Sequence, residues 1–253
     1  MRKIMRVSVG VVVLGIFFYM GVAQAQDPQK VIKEIEDTYK KITSFQASLS
    51  MEKRREGKES KGEGKIWTKE DKFRMEMELI APVLEERREG KEQLVKEKET
   101  IVSDGEIFWL YSNIKNQMMI IDSRKLTELP GPAKEELEKM IENLNQVPSV
   151  LSSPKFLIEK EIEMREEKWK EESFYVLKDK QTEIWVKKEV YLIYRVITYD
   201  EEGNITSSAE LTEIKINEDV PDELFTVKVP EGIKPVDMVE MIKAMYEGFK
   251  EKE

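Results

Sequence analysis

The side chains able to make or break bonds are few in kind. Histidine and cysteine are both absent from the 253 residues. Without imidazole there is no Ser-His-Asp or Cys-His nucleophile system and no histidine ligand for a metal or haem. Without thiol there is no thiolate nucleophile, disulfide or iron–sulfur cluster. What remains is 51 Asp and Glu, 42 Lys and Arg, and the hydroxyls. Glycoside hydrolysis needs two acids about 5–10 Å apart in a cleft. The acids here alternate along strand patterns or fall in charge runs such as 159–172, which read as solvated faces. No S-x-x-K occurs with its companion motifs, and no P-loop or strand-to-helix G-x-G-x-x-G is present; Gly62 and Gly64 read as preceding a strand. The expectation is a protein that is not an enzyme, with no catalytic residue, metal or cofactor. A net charge of −9 argues against a nucleic-acid partner, since phosphate binding needs a basic surface.

The first 25 residues form no part of the expected fold. Arg2, Lys3 and Arg6 precede an uncharged apolar run over 7–22, and Ala23-Gln24-Ala25 supplies small residues at −3 and −1. This predicts a secretory signal cleaved before Gln26; an uncleaved anchor, the rival reading, calls for a longer run. The product is expected to be free in the periplasm or another extracytoplasmic space. It is read as one domain, 26–253, because no composition break or low-complexity linker follows.

The elements follow from periodicity. Asp27 as N-cap and Pro28 at the first position open a helix whose face is Val31, Ile32, Ile35, Thr38, Tyr39 and Ile42. Phe45, Ala47, Leu49 and Met51 alternate with polar residues, as do Phe73, Met75, Met77 and Leu79. Such alternation predicts antiparallel strands with one apolar face. Asp104-Gly105 and 201–204 read as turns, and the hexapeptide Arg-Arg-Glu-Gly-Lys-Glu at 54–59 and 87–92 as two solvated hairpin tips. A second helix spans 132–147, closed by Val147-Pro148, with Ala133, Leu137, Met140, Ile141 and Leu144 as its stripe. Strands resume over 156–164, 174–177 and 182–186, and a last helix carries Val236, Val239, Ile242, Met245 and Phe249. In the 106–112 run both faces are apolar, so one is expected under a helix; Trp109 reads as core.

Ordered blocks then carry a resemblance. Residues 42–48 (Ile-Thr-Ser-Phe-Gln-Ala-Ser), 62–69 (Gly-Glu-Gly-Lys-Ile-Trp-Thr-Lys), 101–111 (Ile-Val-Ser-Asp-Gly-Glu-Ile-Phe-Trp-Leu-Tyr) and 221–232 (Pro-Asp-Glu-Leu-Phe-Thr-Val-Lys-Val-Pro-Glu-Gly) resemble, in order, segments of the outer-membrane lipoprotein carrier (LolA-like) family. The resemblance implies a mainly β (α+β) fold: a strongly curved, incomplete antiparallel barrel with helices covering its concave face. It implies a carrier that holds lipoprotein or lipid acyl chains in an apolar cavity under a helical lid. An inner-membrane donor and an outer-membrane acceptor would flank it, and the chain would be a monomer.

Cavity candidates are Phe45, Ala47, Leu49, Met51, Phe73, Met75, Met77, Leu79, Met118 and Ile120; lid candidates are Leu137, Met140, Ile141 and Leu144. Where the family often has an Arg that ties the lid, this chain has Thr68-Lys69-Glu70-Asp71, so either Lys69 takes that role or the latch is absent. Alternatives within the same resemblance are an envelope-stress sensor that binds lipoproteins and a structural envelope module without ligand.

Overall fold

The computed structural model describes residues 27–55, 58–82, 94–152 and 162–250. The expected signal segment, the 87–92 tip and most of the expected 156–164 strand lie outside them.

Among the described residues, twelve strands form one curved sheet in the order β12-β6-β5-β4-β3-β2-β1-β11-β10-β9-β8-β7, which does not close into a barrel. In chain order they are β1 (Ser44–Arg55), β2 (Lys58–Lys69), β3 (Lys72–Pro82), β4 (Leu94–Ser103), β5 (Ile107–Ser112), β6 (Gln117–Asp122), β7 (Glu163–Trp169), β8 (Glu172–Lys178), β9 (Thr182–Lys187), β10 (Leu192–Tyr199), β11 (Ile205–Ile216) and β12 (Val236–Asp237). Every pairing is antiparallel except the two-residue β12, which runs parallel to β6. Gly62 and Gly64 lie inside β2, not before it. The turn at 104 is held by the Asp104 carboxylate, which accepts from the Glu106 and Ile107 amides at 3.0 and 2.8 Å.

Helix α1 (Pro28–Tyr39) begins as its sequence predicts, with the Asp27 carboxylate accepting from the Gln29 amide at 3.0 Å. Its buried face of Val31, Ile32, Ile35 and Tyr39 packs on Tyr175, Leu177, Ile184, Val186, Leu192 and Ile193. The Tyr39 hydroxyl accepts the buried Ile193 amide proton at 3.1 Å. A second cluster lies beside it on the same face, and Ile42 and Ile214 touch both. It is roofed by a 3-10 turn (Ser123–Glu128), α2 (Gly131–Ser152) and α3 (Met238–Lys250).

Two expectations about the helices need correction. Helix α2 continues through Pro148 to Ser152 instead of ending there. Val236 belongs to β12, and Met245 is 55% exposed, so the packed face of α3 runs through Val239, Ile242 and Tyr246. One face of the 106–112 run, that of Phe108 and Leu110, lies in the cluster under α2 and α3, as the sequence predicts, and the other, outer face of β5 and β6 is covered by an extended strap. Val227, Lys228 and Pro230 enclose a small hollow there with Trp109, Tyr111 and Met118.

Candidate functional site

The cross-strand register builds one apolar surface from residues distant in sequence. Leu211, Leu49, Gly64, Met77 and Glu99 lie in one row across β11, β1, β2, β3 and β4. Ala209, Met51, Gly62, Leu79 and Glu97 form the next. Because side chains alternate between faces along a strand, Phe45, Ala47, Leu49 and Met51 share their face with Phe73, Met75, Met77 and Leu79. All eight belong to the cluster under α2 and α3.

The two glycines set the shape of this surface. They leave its floor without side chains between β1 and β3, and the side chains of Met77 and Leu79 fold into the space. A β-carbon at Gly62 would stand 2.5 Å from Leu79 Cδ2 and 3.0 Å from Met77 Cε. One at Gly64 would run into the Glu76 carbonyl oxygen and Met77 Sδ. The result is a trough filled by the ends of its own flexible side chains. Toward the hairpin tips the same face turns polar, with Glu97, Glu99 and Ser112; the Ser112 hydroxyl donates to Glu97 at 2.7 Å. Burial first, then the neighbouring Glu97, holds the Glu99 carboxyl above its ordinary range.

The structure sorts the expected site residues. Leu137 is fully buried against the apolar face, with Met140 and Ile141 half-buried beside it. Leu144 lies in α2, but its side chain is outside the described residues. Met118 and Ile120 do not join the cavity candidates. Their register partners are Tyr111 and Trp109, whereas Phe108 and Ile121, one step along, point into the cluster. Met118 and Ile120 therefore occupy the opposite face. Lys69 does not latch the lid. Its ammonium donates to the Val220 carbonyl at 3.1 Å and pairs with Asp222 at 3.2 Å, tying β2 to the segment that leads into the strap.

The open space is also not where it was expected. A hollow of about 1030 Å³ lies on the opposite, polar face, lined by Ser48, Lys61, Lys65, Glu76, Glu78 and Lys98 among others. Several of these charges are already matched, as in Lys61–Glu52 at 3.0 Å and Lys96–Glu78 at 2.8 Å. The apolar face, by contrast, is roofed in this conformation. Sequence reasoning missed Ile66, Phe108, Ile121 and Leu211 as members of the apolar surface. Period-two counting from the alternating strands would have placed Ile66, two residues past Gly64.

Among the described residues no helix is long and apolar enough to cross a membrane, and no group of three or more acids is placed to hold a metal. No protein-family model matches the sequence, and no curated protein matches it. Solved structures similar to the chain include a conserved protein from Thermus thermophilus, at 14% identity and a TM-score of 0.46, covering 82% of this chain and 98% of that one. A LolA superfamily protein from Nitrosomonas europaea aligns at 11% identity and a TM-score of 0.33, over 79% and 97% of the two chains. The MucA/MucB complex of Pseudomonas aeruginosa aligns at 13% identity and 0.38, and there the match spans only 60% of the other chain. The superfamily that the sequence blocks resemble is thus among the structural neighbours. At these scores the likeness carries no functional argument, and the functional reading rests on this chain's own residues.

Proposed function

We propose that the chain is an extracytoplasmic carrier, without catalytic activity, that takes lipid or lipoprotein acyl chains onto its apolar face when α2 lifts and hands them on across the envelope. The observation that carries this reading is the self-filled trough over Gly62 and Gly64. Glycine weakens a strand interior unless a close approach or an opening in the surface calls for it. Here two adjacent positions are empty and are filled by Met77 and Leu79 reaching across. Methionine is unbranched and repacks around variable shapes. Displacing Met77 and Leu79 would open a groove leading from the phenylalanines Phe45 and Phe73 toward the polar end at Glu97 and Glu99.

Energetics then dictate how such a carrier works. Each buried methylene is worth about 0.8 kcal/mol, so releasing a chain of about sixteen carbons into water costs of order 12 kcal/mol. Release must therefore be a direct handover to a membrane or receptor.

The test is native mass spectrometry of the purified protein, together with uptake of a fluorescent sixteen-carbon fatty acid. Co-purified lipid, or uptake abolished by Met75→Glu, supports the carrier. No lipid and no uptake would leave a structural module with a packed interior.

A further inference from the structure

The parts of the roof are fastened differently. The described side chains of α2 that face the sheet, Ala133, Leu137, Met140 and Ile141, meet it through apolar contact. The 123–128 turn in front of α2 is tied down by charge. Asp122 accepts from the Arg124 amide at 3.1 Å and pairs with its guanidinium at 2.8 Å, and Arg124 reaches Glu106 at 2.9 Å. Lys125 Nζ stands 2.8 Å from Asp237 Oδ2 and 3.8 Å from Glu240, and Lys243 of α3 stands 3.1 Å from Glu128.

Asp237 joins these parts. One carboxylate oxygen takes Lys125, the other caps α3 by accepting from the Val239 and Glu240 amides at 3.0 and 3.2 Å, and its backbone pairs with Ile120 of β6. Burial alone would raise its pKa, but the Lys125 bond and the cap outweigh that and hold the carboxyl below its ordinary value. Between this fastened turn and the body of α2 lie Leu129, whose backbone is extended, Pro130, and Gly131, the first residue of the helix. Leu129 is buried in the apolar cluster and anchors one end of the joint, whereas at Gly131 no atom beyond its chain neighbours and its own helix backbone stands within 4 Å of where a β-carbon would be, so that end is open.

We propose that the roof is a two-part device: the 123–128 turn and α3 form a fixed post locked by Lys125–Asp237, and α2 alone swings about the 129–131 joint to uncover the Gly62–Gly64 trough. Its purpose rests on the carrier reading; its mechanics do not. Hydrogen exchange read by mass spectrometry on the full chain, without lipid, tests it. Amides of α2 are expected to exchange about tenfold faster, or more, than those of α3 and the turn. Asp237→Asn keeps a capping side chain but removes the charge, and Lys125→Met removes the partner. Each should speed exchange in α3 and the turn about three- to tenfold and leave α2 unchanged.

A single opening rate for α2, α3 and the turn overturns the device. So does unchanged protection of α3 in both variants. The two-rate pattern without fatty-acid uptake would sink the carrier and leave the device standing; uptake with one shared rate would do the reverse.

Discussion

Alanine at Gly62 and at Gly64 should give opposite outcomes although the two residues are neighbours on one face of one strand. Replacing a strand glycine with alanine returns roughly 0.5–1 kcal/mol of chain entropy where the backbone allows it. At Gly62 the new methyl meets Leu79 Cδ2 at 2.5 Å and Met77 Cε at 3.0 Å, both the far ends of rotatable side chains, so they move aside. At Gly64 it meets the Glu76 carbonyl oxygen, which belongs to the backbone of β3 and cannot rotate away, so β2 and β3 must part. Overpacking of that kind costs about 1–3 kcal/mol. Gly62→Ala should therefore melt within about 2 °C of the parent, and Gly64→Ala about 2–12 °C lower, at about 2–4 °C per kcal/mol for a chain of this size. Far-UV circular dichroism on heating reads both. The same Gly62→Ala protein should bind the sixteen-carbon fatty acid about three- to tenfold more weakly, because its methyl occupies the floor of the trough. Equal melting of the two variants would refute the close approach of β3 to Gly64. Undiminished uptake by a stable Gly62→Ala would refute the trough as the binding surface.

Tyr39→Phe should lose about 1–3 kcal/mol in urea unfolding, since the buried Ile193 amide is left without its acceptor. Burial holds the Tyr39 hydroxyl well above its ordinary pKa of about 10, so the unfolded chain ionises first. The stability this residue contributes is full below about pH 10 and falls as pH rises past it, and that part of the alkaline loss should vanish in Tyr39→Phe. Glu99 has the same sign at lower pH: its carboxyl is raised in the fold, so its ionisation opposes folding above the unfolded carboxylate pKa. Glu99→Gln should raise the urea midpoint at pH 7 and leave it unchanged at pH 4. Lys69→Ala should speed exchange in residues 218–224 and leave α2 untouched, because Lys69 braces that segment; faster exchange in α2 would restore its role as a latch.

The strands most legible in the sequence were those with one wet face. In β1 and β3 strict alternation fixed which side chains share a surface, and the register brings those two sets together through β2. Met118 and Ile120 failed because β5 and β6 are apolar on both faces, so alternation identifies two sets without saying which lies under α2. What settles it is the path of the 226–230 strap, a long-range contact with no periodicity. The glycine pair was visible as residues but not as a feature, since its meaning depends on how closely β3 approaches. Lys125 and Asp237, 112 positions apart, carry no local signal at all. Pro148 misled for a physical reason: proline disfavours helix interiors by about 3 kcal/mol but does not forbid them when the surroundings hold the segment.

A closed barrel has a girth fixed by strand number and stagger. A sheet that ends in β12 on one side and β7 on the other has no fixed girth. In the proposed carrier it would act less as a cup than as a sling, flattening or tightening as its contents demand. Discrimination by bulk then falls to the piece that covers it, and a longer or shorter α2 would be the economical way to alter what the same sling holds.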